Sequence, residues 1–185
     1  MSSYTEGQVH QLANALEGKG FTPDDVTKLG QYRDLRAIRG VLCGTHEIKP
    51  IAHIIDCDTA PFVPDGWRVK EHHKGGQFVW SLDAVGLFIT PEQKSGRISG
   101  TELQKKLQDK PVLNANILDY LLAHPELIPE EWKGKCVFFW GTIYHNSSDG
   151  LYIRYLWWDG RRWHWHCSWL VNDFHFHSPA LVRAS

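Results

Sequence analysis

The chain has 185 residues, 42% hydrophobic and 22% charged, a balance that belongs to a globular protein and excludes a disordered one. Its 20 basic and 21 acidic side chains leave a formal net charge of -1, so a whole-molecule basic field for nucleic acid is excluded and only a local patch remains open. The unusual entries are 9 Trp and 11 His.

A chain of this length predicts one domain, or one core with an appendage, at about 150 residues per domain. No run of about 18 apolar residues offers a membrane helix. The opening MSSYTEGQVHQLANALEGKG lacks the basic flank and apolar stretch of a signal peptide. Cys43, Cys57, Cys136 and Cys167 are scattered, with no C-x-x-C pair. The expectation is a cytoplasmic protein with buried, reduced thiols, not a disulfide framework.

In chain order, Val9, Leu12, Ala13 and Leu16 recur at helical spacing, and Gly18 and Gly20 end the run. Thr22-Pro23-Asp24-Asp25 starts a second helix, with Thr as cap, Pro in the first turn and two acids at the positive end of the dipole. Leu35, Ile38, Val41 and Leu42 give a third stripe that ends at Gly44. The predicted organisation is a helical unit over 1–48 and an α+β domain over 49–185, which together form either two units or one continuous domain.

Ile51 to Ile55 reads as an apolar linker. Trp67–Glu71, Gln77–Trp80 and Val85–Ile89 read as short strands, with Lys74-Gly75-Gly76 turning between the first two. Ser99 and Glu102 fit a capping box, and Asn114 can cap the next helix, which ends before Pro125. Helices over 101–109 and 115–123 are expected on one sheet face. The last fifty residues predict a Trp-rich antiparallel meander: Val137–Tyr144, Leu151–Trp158, Trp163–Val171 and Phe174–His177, with loops at His145–Gly150, Asp159–Arg162 and Asn172-Asp173. The fold class is therefore α+β, with a small N-terminal helical unit, a mixed central region and a C-terminal meander.

Two constellations in the meander invite a function. Strand alternation puts His164 and His166 on one face. A two-residue turn at Asn172-Asp173 sets Trp169 opposite Phe176 and Ser168 opposite His177. That brings His175 and His177 to the same face, where imidazoles could hold zinc. The competing reading makes these histidines the solvated face of a sheet with an aromatic core. The second constellation is basic and aromatic: Trp157 next to Trp158, with Arg154, Arg161 and His164 close by. Exposed indoles stack on sugar rings and bases, and arginines pair with phosphate or carboxylate.

Other motifs are weaker. Ile54-Ile55-Asp56-Cys57-Asp58-Thr59 superficially resembles the first motif of the haloacid-dehalogenase phosphatases, but its Thr stands one position early and prolines follow. It reads as an acidic turn after a strand. Arg33, Arg36 and Arg39 align at i, i+3, i+6 along the third helix and would serve a DNA-binding regulator. No phosphate loop, G-x-S-x-G or H-E-x-x-H pattern is present.

Five segments carry a family likeness: Gly20-Phe21-Thr22-Pro23-Asp24-Asp25-Val26-Thr27-Lys28-Leu29, Val63-Pro64-Asp65-Gly66-Trp67, Pro111-Val112-Leu113-Asn114-Ala115-Asn116, Ile128-Pro129-Glu130-Glu131-Trp132-Lys133-Gly134-Lys135 and Phe139-Trp140-Gly141-Thr142-Ile143-Tyr144. Over nearly its full length the chain resembles a family of uncharacterised bacterial proteins known mainly from environmental genomes. The resemblance implies a bacterial, cytoplasmic protein and transfers no activity or ligand.

The leading expectation is a non-catalytic binding module, with Trp157, Arg154, Arg161 and His164 as the ligand surface, no cofactor, no membrane, and a glycan, nucleic acid or protein as partner. The first alternative is a metal-dependent enzyme with zinc on His164, His166, His175 and His177. The second is DNA binding through the N-terminal helices. Oligomeric state is open.

Overall fold

The structure, a computed structural model, describes residues 4–49 and 51–184. The chain divides into two compact units, Met1–Ile51 and Ala52–Ser185.

The first unit holds three helices, α1 (Glu6–Glu17), α2 (Pro23–Gly30) and α3 (Leu35–Leu42). Thr22 starts α2 with a reciprocal cap. Its Oγ1 accepts from the Asp25 amide at 3.2 Å, and the Asp25 carboxylate accepts from the Thr22 amide at 2.9 Å. The chain turns into that cap through Gly20, whose φ of +81° lies in the left-handed region that favours glycine. Asp34 caps α3, accepting from the Ala37 amide. The helix therefore starts at Leu35, and Arg33 precedes it instead of lying along it as expected.

The second unit runs in chain order β1 (His53–Asp56), β2 (Arg68–His72), β3 (Gln77–Trp80), β4 (Val85–Phe88), α4 (Pro91–Ser95), β5 (Ile98–Ser99), α5 (Gly100–Lys106), α6 (Ala115–Ala123), β6 (Val137–His145), β7 (Leu151–Trp158), β8 (Trp163–Trp169), β9 (Asp173–Phe174) and β10 (Ala180–Arg183). The fold is α+β. Its main sheet has the order β4-β10-β6-β7-β8, and β2 pairs with the far end of β6. The consecutive antiparallel strands β6, β7 and β8 are the tryptophan-rich meander.

Alternation along β6 explains why this strand is buried on both faces. Val137 and Phe139 join Ile117, Leu118 and Leu121 of α6 in one core. Phe138 and Trp140 point the other way and join Leu103 and Leu107 of the α5 segment, Ile98 and Phe174 in a second core. The two helices thus cover opposite faces of the sheet, not one face. A sheet buried on both sides reads as continuous apolar runs, so helix sidedness does not show in its strand pattern.

Three further expectations are corrected. Residues 53–56 are not linker but strand β1, antiparallel to β3 with Ile55 opposite Phe78. The strands flanking Lys74-Gly75-Gly76 do not pair with each other, because β2 pairs with β6 and β3 with β1. Phe174–His177 does not return along β8. The turn falls earlier, where the Asn172 amide donates to the Trp169 carbonyl at 3.0 Å, and Asp173-Phe174 then pairs with β5. Burial decides this last case: Phe174 is 1% exposed in the second core, while Phe176 is left 54% exposed.

Asp56 and Asp58 behave as the acidic turn expected after β1. Asp56 Oδ1 accepts from the Asp58 amide at 2.9 Å, and Asp58 Oδ1 accepts from the Gly76 amide at 2.9 Å. Of the four cysteines, all unbridged, Cys57 is buried and Cys136 and Cys167 are half-buried, but Cys43 is exposed. The expectation of buried thiols therefore holds for Cys57 and fails for Cys43.

Candidate functional site

The hairpin of β7 and β8 is fixed by its loop. Asp159 Oδ1 accepts from the amides of Arg161 and Arg162 at 2.7 and 2.8 Å. These bonds hold the carboxyl down at about 2, the Arg162 amide contributing most, then the Arg161 amide, with burial opposing and His164 adding to the effect. The loop sets Trp158 opposite Trp163, and the register then runs on without slippage to Tyr152 opposite Trp169.

That register sorts the side chains. Trp158, Trp163 and Trp165 turn into the α6 core. Trp157, His164, Tyr155 and His166 turn the other way. There Trp157 lies against His164 with ring centroids 5.7 Å apart, and Tyr155 lies against His166 at 6.0 Å. Trp157, Tyr155 and His164 are half-buried, and His166 and Arg161 are exposed. The result is a strip of four rings along the sheet edge, with arginines at its loop end. Sequence reading named Trp157 and His164 but missed Tyr155 and His166 as their companions. The signal was present: a loop of 159–162 fixes every cross-strand partner that follows.

His164 also links the strip to the loop. Its Nε2 lies 2.7 Å from Asp159 Oδ2 and 3.1 Å from Arg162 Nε. The two contacts are alternatives for one atom. A protonated Nε2 donates to Asp159, and a bare Nε2 accepts from Arg162.

Arg154 does not belong to this surface, which corrects the expectation. It occupies the opposite face of β7 and is 1% exposed. Its guanidinium donates to Asp119 of α6 at 3.0 and 2.6 Å. It sits 5.0 Å from the Phe62 ring centre and 4.4 Å from that of Trp165. Burial alone would lower its pKa. The bonds to and charge of Asp119, with help from Tyr144, outweigh burial and keep it protonated. Arginine is seldom buried unless paired, and the partner stands 35 residues away, where no local pattern marks it.

The zinc set does not assemble. His175 and His177 lie beside each other with ring centroids 5.8 Å apart, near Arg97 and Asp173. His164 and His166 stand on the β8 strip, and the turn at Trp169–Asn172 carries the chain away to β5. Among the described residues, no three His, Cys, Asp or Glu side chains converge as metal ligands. His53, at the start of β1, bonds the Tyr120 hydroxyl through Nδ1 at 3.0 Å. In the N-terminal unit, Arg33, Arg36 and Arg39 are all exposed.

Comparison with known proteins finds no family model, no curated protein and no solved structure that matches this chain. No helix among the described residues is long and apolar enough to cross a membrane.

Proposed function

We propose that the protein is a non-catalytic binding module whose contact surface is the ring strip of the β7–β8 hairpin: Trp157, His164, Tyr155 and His166, with Arg161 at its end. The observation that carries this reading is the cross-strand pair Trp157–His164, a half-buried indole backed by an imidazole. Such a pair presents a flat, rigid face with few rotors to immobilise on binding. Its complement is another flat face, a nucleobase or the apolar side of a sugar ring, with an acidic group placed for Arg161. Arg154 has no part in contact. It props the strand from behind through Asp119. The sequence resemblance and four unbridged cysteines support a bacterial cytoplasmic setting.

The test is heteronuclear NMR of the full chain, with indole resonances assigned by single substitution. The titrants are a short single-stranded oligonucleotide series and a panel of acidic and neutral glycans. One class should shift the Trp157 indole, and W157A or R161A should weaken that binding by roughly tenfold per lost ring or ion contact. Unchanged Trp157 resonances across both panels would refute the reading.

A further inference from the structure

A second site lies away from the ring strip. Three distant segments, His73–Gly75, Lys110–Asn114 and Arg183, enclose a cleft of about 280 Å³ whose floor includes Cys57. Its lining contains Lys74, Lys110 and Arg183 and not one carboxylate. Among the described residues, none of these three cations has a carboxylate within 4.0 Å. The chain as a whole is balanced at -1. Three cations with no contacting carboxylate among the described residues thus gather around one concavity, a local feature and not the overflow of a basic protein.

The floor is rigid and its polar atoms are already committed. The Asn114 side-chain amide donates to the carbonyls of Cys57 at 2.8 Å and His73 at 2.9 Å. Asn114 Oδ1 accepts from the Asn116 amide at 3.2 Å. His72 ties in behind, 2.8 Å from Thr142 Oγ1 and 3.1 Å from the Cys57 carbonyl. Gly141 lets the Leu113–Asn114 backbone come this close, since a Cβ there would stand 2.9 Å from Asn114 Cα.

The rim cations, by contrast, have donors left over. Arg183 spends one Nη2 hydrogen on the Gly75 carbonyl at 3.3 Å and lays its plane 5.1 Å from the Phe78 ring centre. The rest of its fork is uncommitted. Lys110 rests 5.1 Å from the Phe88 ring centre. Asp58, which flanks Cys57 in sequence, accepts from the Gly76 amide at 2.9 Å.

We propose that this cleft is a binding site for a small phosphate ester, with the Arg183 fork taking two phosphate oxygens and Lys74 and Lys110 supplying point charges. A planar fork with flanking ammonium groups suits a tetrahedral dianion, and the volume admits a phosphate with a few carbons, not a polymer. The site binds and does not catalyse through Cys57. Burial pushes that thiol up to about 11, with Arg183 opposing and the charges of Asp58 and Asp56 adding to the rise, so it stays protonated at neutral pH.

The test is isothermal titration of the full chain at low ionic strength with inorganic phosphate, glycerol phosphate and, as the uncharged control, glycerol. Saturable 1:1 binding of the two phosphates and none of glycerol is expected. K74Q, K110Q and R183Q should each weaken it by about tenfold, and K105Q, outside the cleft, should leave it unchanged. Gly75→Leu fills the cavity while keeping all three cations in the sequence. An added Cβ at that position points toward Cys57 and Arg183, at 3.5 and 4.0 Å. The longer side chain should block binding while the thermal midpoint stays near that of the parent. W157A should have no effect here, which separates this site from the ring strip. No saturable binding by the parent protein, an equal loss in K105Q, or full affinity in Gly75→Leu would overturn the proposal.

Discussion

Arg154 and Asp119 join the main sheet to α6 through two parallel hydrogen bonds, and the arginine end of the pair is out of water while the aspartate keeps 35% of its side chain exposed. The pair is therefore asymmetric. Asp119 can turn to solvent if it loses its partner, and Arg154 cannot.

D119A should destabilise the protein by about 3 kcal/mol, because it strands a buried guanidinium. R154M should cost less, and the double substitution should be more stable than D119A alone. Urea unfolding of the three variants checks the order. Equal losses in the two single variants would count against it.

G141A should lower stability by about 2 to 3 kcal/mol. Its Cβ would meet backbone atoms of Leu113 and Asn114 at 2.9 Å, which cannot swing aside as a side chain could. G7A, in the open first turn of α1 with nothing within 4 Å, should be neutral or slightly stabilising. Thermal midpoints of both variants distinguish crowding from a general intolerance of added methyl groups.

Acid should loosen the β7–β8 loop late. Asp159 titrates at about 2 in the folded chain, below its ordinary 3.8. A depressed carboxyl contributes stability that is present above the unfolded pKa and is lost as pH falls through the folded one. The window is therefore about pH 4 down to 2. A carboxyl-carbon NMR titration should place the Asp159 midpoint near 2, and D159N should flatten the dependence of stability on pH across that window.

The thiols should sort by environment. Burial pushes Cys57 and Cys167 up to about 11 and raises Cys136, while Cys43 is exposed. Iodoacetamide on the native protein near pH 8 should add one label quickly, at Cys43, and the other three should react only on unfolding. Intact mass and peptide mapping read the outcome.

Much of the fold is legible in the sequence because local rules decide it. Thr22-Pro23-Asp24-Asp25 starts a helix by capping chemistry alone, and Asp159–Arg162 closes a hairpin by loop chemistry alone. What could not be read depends on distant partners. Phe174 chooses β5, 76 residues earlier by its Ile98 pairing, over the neighbouring β8 because a core lies there. Arg154 looks like a surface residue until Asp119 is placed beside it. The candidate site follows the same division. Trp157 and His164 were visible from alternation, whereas Lys74, Lys110 and Arg183 meet only through the tertiary fold.

Strand β10 has a consequence for synthesis. It lies between β4 and β6, antiparallel to the first and beside the second at Ala180–Phe138. Residues 180–183 therefore form an interior strand of a sheet whose other members were all made earlier. Until the ribosome delivers them, β4 has no partner in that sheet and the edge of β6 stands open at Phe138. The growing chain therefore carries an unpaired β4 from residue 88, and an open β6 edge from residue 138, until residue 180 is made.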